Sequence, residues 1–244
     1  MNKRRRILLS ILVVSIIFLG LLRQQSSLAA VAKFGQNLNI GTNLGLVQKR
    51  RPRVGIQIGH YKAIEQPEEL KNIRYSTGAQ VGKITEVEIN IAVAKMLRDM
   101  LEARGIIVDM LPATVPKNYN ADVFISIHAD ASLDKKRRGY KSAYFTPVRN
   151  NKDKLLKAKI DESYFYFMGL PDDDANVSGA MLEYYSFNKN RFKHAISKKT
   201  AGIIVEIGYI SNSRDLQLIK DPVNPAYALK VGIVKYLKAQ GLLN

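Results

Sequence analysis

The sequence predicts an α/β fold built on a mostly parallel, mixed sheet flanked by helices. Short β-rich apolar runs alternate along the chain with longer stretches of helical periodicity, an order that builds parallel sheets through crossover helices. Apolar residues make up 46% of the 244 residues and charged residues 24%, enough apolar content to exclude a largely disordered chain. Several of the apolar runs stop at a histidine or a glutamate, which places polar chemistry at strand ends.

The elements follow in order. Val54 to Ile58 is a first strand, ending in Gly59-His60. Thr85 to Arg104 is a helix with a core face of Ile89, Val93, Met96, Leu97, Met100 and Leu101, at the 3.6-residue period. Thr85 and Glu88 form a capping box and Gly105 ends the helix. Ile106–Leu111 is a second strand, Asp122–Ile127 a third that ends in His128, and Tyr140–Phe145 a fourth. Lys152–Met168 is helical. Ala201–Val205 is a strand that ends in Glu206, Asn212 or Ser213 starts a short helix, and Pro225–Gln240 is the last helix.

The N-terminal segment sets the compartment. Residues 1–50 carry eight basic side chains and no acid, against a net charge of +17 for the whole chain. MNKRRR precedes an apolar run of 16 residues, Ile7–Leu22, the pattern of a secretory signal or an N-terminal membrane anchor. Spanning a bilayer takes roughly 17–25 residues, so both readings stay open for residues 1–32. The basic start remains cytoplasmic by the positive-inside rule, which makes the body extracytoplasmic, cleaved or tethered. Residues 33–52, rich in Gly, Asn and Gln, read as a linker, and the catalytic domain runs over 53–244. The basic body suits polyanionic surroundings. The export segment and the lack of a basic recognition helix argue against a nucleic-acid partner.

The chain has no cysteine and three histidines, His60, His128 and His194. Disulfides, thiolate metal sites and thiol nucleophiles are excluded. His60, His128 and Glu206 each follow an apolar strand, and ligands of open α/β sheets bind beyond the carboxyl ends of strands. Two histidines and a carboxylate satisfy a catalytic zinc, which takes three nitrogen or oxygen ligands and keeps one position open. A further carboxylate outside the ligand set can move the proton. His194, in a polar basic stretch, reads as surface or substrate-proximal. Tyr184, Tyr185 and Phe187 read as core packing rather than a groove lining. Asp172-Asp173-Asp174 reads as a solvated loop, as does the charge of Lys135–Arg138, and Asn212 fixes the turn after the Glu206 strand.

Four segments carry a resemblance: Gly59-His60, Thr85-Glu86-Val-Glu-Ile-Asn90, Ser126-Ile-His128-Ala129-Asp130 and Glu206-Ile-Gly208-Tyr-Ile-Ser211-Asn212. In this order, from about residue 53 to the C-terminus, the chain resembles the zinc-dependent N-acetylmuramoyl-L-alanine amidases. The resemblance implies a zinc-hydrolase-like catalytic domain, one Zn2+ ion, and peptidoglycan as substrate. It implies His60, Glu86 and His128 as metal ligands and Glu206 as the catalytic carboxylate. Glu88 competes with Glu86, but the family's ligand stands four residues before an asparagine, and Asn90 selects Glu86. Glu88 is also occupied by the capping box.

The chain departs from the family at Tyr61-Lys62, where Gly-Gly is usual, at Asp130, where Asn is frequent, and at Leu111–Pro116, where a Thr-Arg pair is common. Asp130 is expected to add negative charge near the metal. Two alternatives share these features: a zinc peptidase or deacylase acting on another envelope substrate, and a non-catalytic, membrane-tethered wall-binding module. The second has no need of all four chemical residues.

Overall fold

The computed structural model describes residues 50–244. The signal or anchor reading of residues 1–32 and nearly all of the linker lie outside the described residues. Among the described residues, no helix is long and apolar enough to cross a membrane.

The five-stranded sheet has the order β4-β1-β5-β7-β6. Its strands are β1 (Arg53–Ile58), β4 (Ile107–Leu111), β5 (Val123–Asp130), β6 (Lys141–Ala143) and β7 (Ala201–Tyr209). β6 runs antiparallel at one edge and the other pairings are parallel. A separate two-stranded hairpin, β2 (Gln80–Val81) and β3 (Ile84–Thr85), leads into helix α1 (Glu86–Glu102). The remaining helices are α2 (Asn151–Met168), α3 (Gly179–Leu182), α4 (Ser213–Ile219) and α5 (Val223–Ala239).

The two faces of the sheet differ in chemistry. Val54, Ile56 and Ile58, with Val123, Ile125, Ile127, Ile203, Val205 and Ile207, meet α1, α2 and α5 in the main core. Ile89, Val93, Leu97 and Leu101 are the buried stripe of α1, as its periodicity predicts, while Met96 and Met100 are only partly buried. The opposite face is covered by shorter pieces carrying Met181, Tyr184, Phe187 and Ile196, packed on Phe124 and Ile204. Alternation of side chains along a strand then sends Gln57, Ser126, His128 and Glu206 to this second face.

Two strands run further than their apolar runs. β5 continues through His128 to Asp130, and β7 continues through Glu206 to Tyr209. The apolar pattern stops where side chains leave the packed core, but backbone pairing continues to the rim of the sheet. His128 and Glu206 are therefore register partners on adjacent strands.

The start of the domain is fastened by charge. Arg50 pairs with Asp122, and the Arg51 Nε donates to the Gly105 carbonyl. In the acidic run 172–174, Asp172 is exposed, but Asp173 and Asp174 are built into the fold and not solvated as expected. Asp173 accepts from the Tyr209 hydroxyl and from Asn176, and Asp174 pairs with Lys157. Arg138 likewise contacts the buried Asp215.

Candidate metal centre

His60, Glu86 and His128 come together. Their nearest ligand atoms lie within 4.8 Å of one another, and among the described residues they are the one cluster able to hold a metal ion. Each arrives from a different element. β1 ends at Ile58, and the chain then turns through His60 and Lys62 in left-handed backbone, at φ 62° and 57°. That turn projects the His60 ring over the sheet end. Lys62 adopts a conformation that glycine takes freely and that costs an ordinary residue about 1–2 kcal/mol, so the departure from Gly-Gly is paid locally in strain.

Glu86 is the first residue of α1. The capping box forms in full: the Thr85 hydroxyl accepts from the Glu88 N–H, and Glu88 accepts from the Thr85 N–H. With Glu88 so engaged, Glu86 turns inward and is buried. Its Oε2 accepts from the Ala79 N–H at 2.9 Å. Its Oε1 faces His128 Nδ1 at 3.0 Å and His60 Nε2 at 3.4 Å. Asn90, one helical turn on, directs its Nδ2 to the same Oε1 at 3.3 Å.

The donor set fits a metal on two grounds. First, His60 Nδ1 lies 2.8 Å from the Ser76 carbonyl oxygen. A carbonyl only accepts, so Nδ1 carries the hydrogen and the Nε2 lone pair of the neutral ring faces Glu86. Second, two glycines shape the cradle. A Cβ on Gly59 would stand 2.5 Å from the His128 ring, and one on Gly78 would stand 2.8 Å from Glu86 Oε2 and 3.0 Å from His60. Two imidazole nitrogens and one carboxylate oxygen are the ligand types of catalytic zinc, with a fourth position left for water.

Charge follows the same geometry. Burial pushes the Glu86 carboxyl up, but the hydrogen bond and charge of His128, then the charge of His60, outweigh it and bring the group to about 2. Burial also holds the His60 imidazole below its ordinary value, against the pull of Glu86. Glu206 moves the other way. Burial first, then the charges of Glu86 and Asp130, push its carboxyl well above the usual range. Its Oε2 is buried without a hydrogen-bond partner.

Asp130 adds its charge beside Glu206, as expected, but brings a counter-ion with it. Lys141 Nζ lies 2.5 Å from its carboxylate, and also donates to the Tyr209 hydroxyl and the Asn176 carbonyl. The register places Lys141 opposite Glu206, so the extra acid and its counter-ion enter the rim together.

His194 stands apart from this cluster. Its Nδ1 and N–H both contact Glu69, at 2.6 and 2.8 Å, which ties the 188–196 loop to the 68–73 turn. Asn212 caps α4 by accepting from the Arg214 and Asp215 N–H groups, as expected of a turn-fixing residue.

Two concavities meet at the centre, and His60, His128 and Glu206 line both. The larger, of about 630 Å³, is also bordered by Asn72, Tyr184 and Arg191. Tyr184 therefore borders a groove as well as packing in the second core. Its hydroxyl lies 3.2 Å from His128 Nε2, a contact that sequence reading missed. The available signal was parity: Gln57 and Ser126 are polar positions inside otherwise apolar strands, on the face that carries His128 and Glu206.

Known proteins resemble this chain in sequence and in fold. The sequence model of the family described as N-acetylmuramoyl-L-alanine amidase matches residues 54–235. The N-acetylmuramoyl-L-alanine amidase LytC of Bacillus subtilis (strain 168) is 25% identical over 176 residues, covering 66% of this chain and 33% of LytC. The chain thus spans about a third of the length of that curated relative.

Among solved structures, the CwlD amidase from Clostridioides difficile, determined in complex with the GerS lipoprotein, superposes with a TM-score of 0.54 at 19% identity. That match covers 78% of this chain and 100% of CwlD. An N-acetylmuramoyl-L-alanine amidase from Clostridium difficile 630 gives a TM-score of 0.55 at 16% identity, covering 78% of this chain and 99% of that one. These structures share the fold: a mixed, mostly parallel sheet with flanking helices. With the family's sequence model extending from β1 into α5, over the whole of the metal cluster and Glu206, the chain belongs to the N-acetylmuramoyl-L-alanine amidase family.

Proposed function

We propose that this chain hydrolyses the amide bond between the lactyl group of N-acetylmuramic acid and L-alanine in peptidoglycan, with one Zn2+ held by His60, Glu86 and His128 and with Glu206 as the proton-transfer residue. The observation that carries the reading is the convergence of three ligand atoms within 4.8 Å beside a carboxylate oxygen with no protein partner. Family membership supports it. So does the open site, since two concavities meeting at one centre suit a bond inside a polymer.

The zinc would supply Lewis acidity to the carbonyl, a lowered pKa for the attacking water, and positive charge that keeps Glu206 ionised. The protein groups do the rest. Glu206 takes a proton from the water as its oxygen bonds to the carbonyl carbon. Glu206 then delivers that proton to the leaving nitrogen as the C–N bond breaks, releasing a lactyl carboxylate and a free L-alanine amino terminus. The Lys141–Asp130 pair keeps the rim close to neutral around this exchange.

The apolar run behind a basic start supports an extracytoplasmic site of action, tethered or secreted. Peptidoglycan and the membrane are then the partners.

The test uses the full chain and its Glu206→Gln variant, with zinc content and new L-alanine amino termini from purified peptidoglycan as readouts. One zinc per chain in both proteins is expected, with turnover falling at least about 100-fold in the variant. Zinc without turnover in the wild type would shift the assignment to another envelope amide. Absence of zinc would remove the catalytic reading.

A further inference from the structure

We infer that Tyr184 is a positioning residue of the metal centre: its buried hydroxyl accepts the Nε2–H of His128 and thereby turns Nδ1, as the ring nitrogen for the metal, toward Glu86 and His60. This inference rests on the assignment of His60, Glu86 and His128 as metal ligands.

The argument starts at Ala113, in the segment 111–116 that replaces the family's Thr-Arg pair. Its carbonyl oxygen lies 2.6 Å from Gln57 Nε2. A carbonyl has no hydrogen to give, so the nitrogen of the Gln57 amide must face it, and the Oε1 must point the other way. That Oε1 is 3.0 Å from the Tyr184 hydroxyl. An amide oxygen only accepts, so the tyrosine spends its single hydrogen there.

Two lone pairs then remain on the Tyr184 oxygen. The Ser126 hydroxyl reaches it at 3.1 Å as a donor. His128 Nε2 reaches it at 3.2 Å, and only a protonated Nε2 can complete the set.

Packing holds the arrangement. Tyr184 is 9% exposed. Its ring meets the His128 ring edge-on at 5.8 Å and packs against Phe187 at 5.4 Å. Gly59 closes the other side of the imidazole. The histidine ring is thus held at a face and at both nitrogens. Such outer hydrogen bonds to ligand histidines typically affect metal affinity by about 10–100-fold.

The test compares full-length wild type with Tyr184→Phe and with Tyr164→Phe. Tyr164 serves as control because it is also buried but packs in the main core on the other face of the sheet, where its hydroxyl donates to the Ile207 carbonyl. Nitrogen-15 NMR of histidine-labelled protein reads which His128 nitrogen carries hydrogen, with and without added zinc. The three histidines are assigned by single substitutions. Chelator competition gives zinc affinity.

Nε2 of His128 is expected to carry hydrogen in the metal-free and zinc-loaded wild type alike. Tyr184→Phe should weaken zinc binding about 10–100-fold and broaden or lose the Nε2–H signal, while Tyr164→Phe leaves both unchanged. An unprotonated Nε2 in the metal-free wild type overturns the inference whether or not the variants fold. Equal zinc affinity in Tyr184→Phe and wild type, or equal losses in both variants, also overturns it while leaving the ligand assignment standing. A wild type that binds no zinc refutes the ligand assignment instead, and the NMR arm still reports on Tyr184.

Discussion

Gly59 shows how narrowly the site is cut at the residue scale. Its backbone lies outside the left-handed region, so alanine is permitted conformationally, yet a Cβ there would press 2.5 Å from His128. Gly59→Ala therefore tests side-chain space alone. The expected outcome is a zinc affinity lowered by about tenfold or more with the fold retained, measured by chelator competition and circular dichroism. Undiminished affinity would mean that the ring finds another pose. Asp130 and Lys141 make the complementary point: a departure that reads as added charge is, in three dimensions, a compensated pair.

At the scale of elements, α1 does two jobs through adjacent residues. Thr85 and Glu88 close the capping box, and Glu86 between them faces His60 and His128. Thr85→Ala removes the cap and should destabilise the protein by about 1 kcal/mol, seen as a lower denaturant midpoint with an unchanged slope. A change under a few tenths would show that packing of the α1 stripe alone holds the first turn. β5 and β7 act as a second unit. Their pairing sets His128 opposite Glu206, so the separation between the proposed ligand and the proposed proton-transfer group is fixed by a backbone ladder and not by flexible loops.

At the scale of the whole molecule, one face of the sheet is sealed by α1, α2 and α5, and the other carries the polar network and the groove. This sidedness buries Glu206 beside the Glu86 carboxylate in the metal-free protein, with a consequence for pH. The Glu206 carboxyl is raised in the folded state above its unfolded value. The folded protein then holds a proton that the unfolded chain releases, so stability falls as pH rises above the ordinary carboxyl range. With a chelator present, Glu206→Gln should melt higher than wild type at pH 7–8, and the gap should close near pH 4. A wild type more stable than the variant at neutral pH would contradict this.

The elements were largely legible in the sequence because their causes are local. The helical period of Ile89, Val93 and Leu97, the Thr85–Glu88 cap and the β-rich runs before His60, His128 and Glu206 act within a few residues of themselves. The strand ends were less legible: β5 and β7 continue past their apolar runs because ladder pairing depends on the neighbouring strand. The order of the α/β elements and the types of chemical residue were likewise present in the sequence alone. Together with the family motifs, they pointed to His60, Glu86, His128 and Glu206.

Tertiary structure decided what those residues meet. The carbonyls of Ser76 and Ala113, the amide of Gln57 and the hydroxyl of Tyr184 orient the two histidines from positions far apart in the chain. So does the empty space at Gly59 and Gly78. Lys141 finds Asp130, and the acidic run 172–174 finds Lys157 and Tyr209, by the same long-range route. Hydrogen-bond direction and steric room are properties of pairs of groups in space, and no single segment of sequence contains both members.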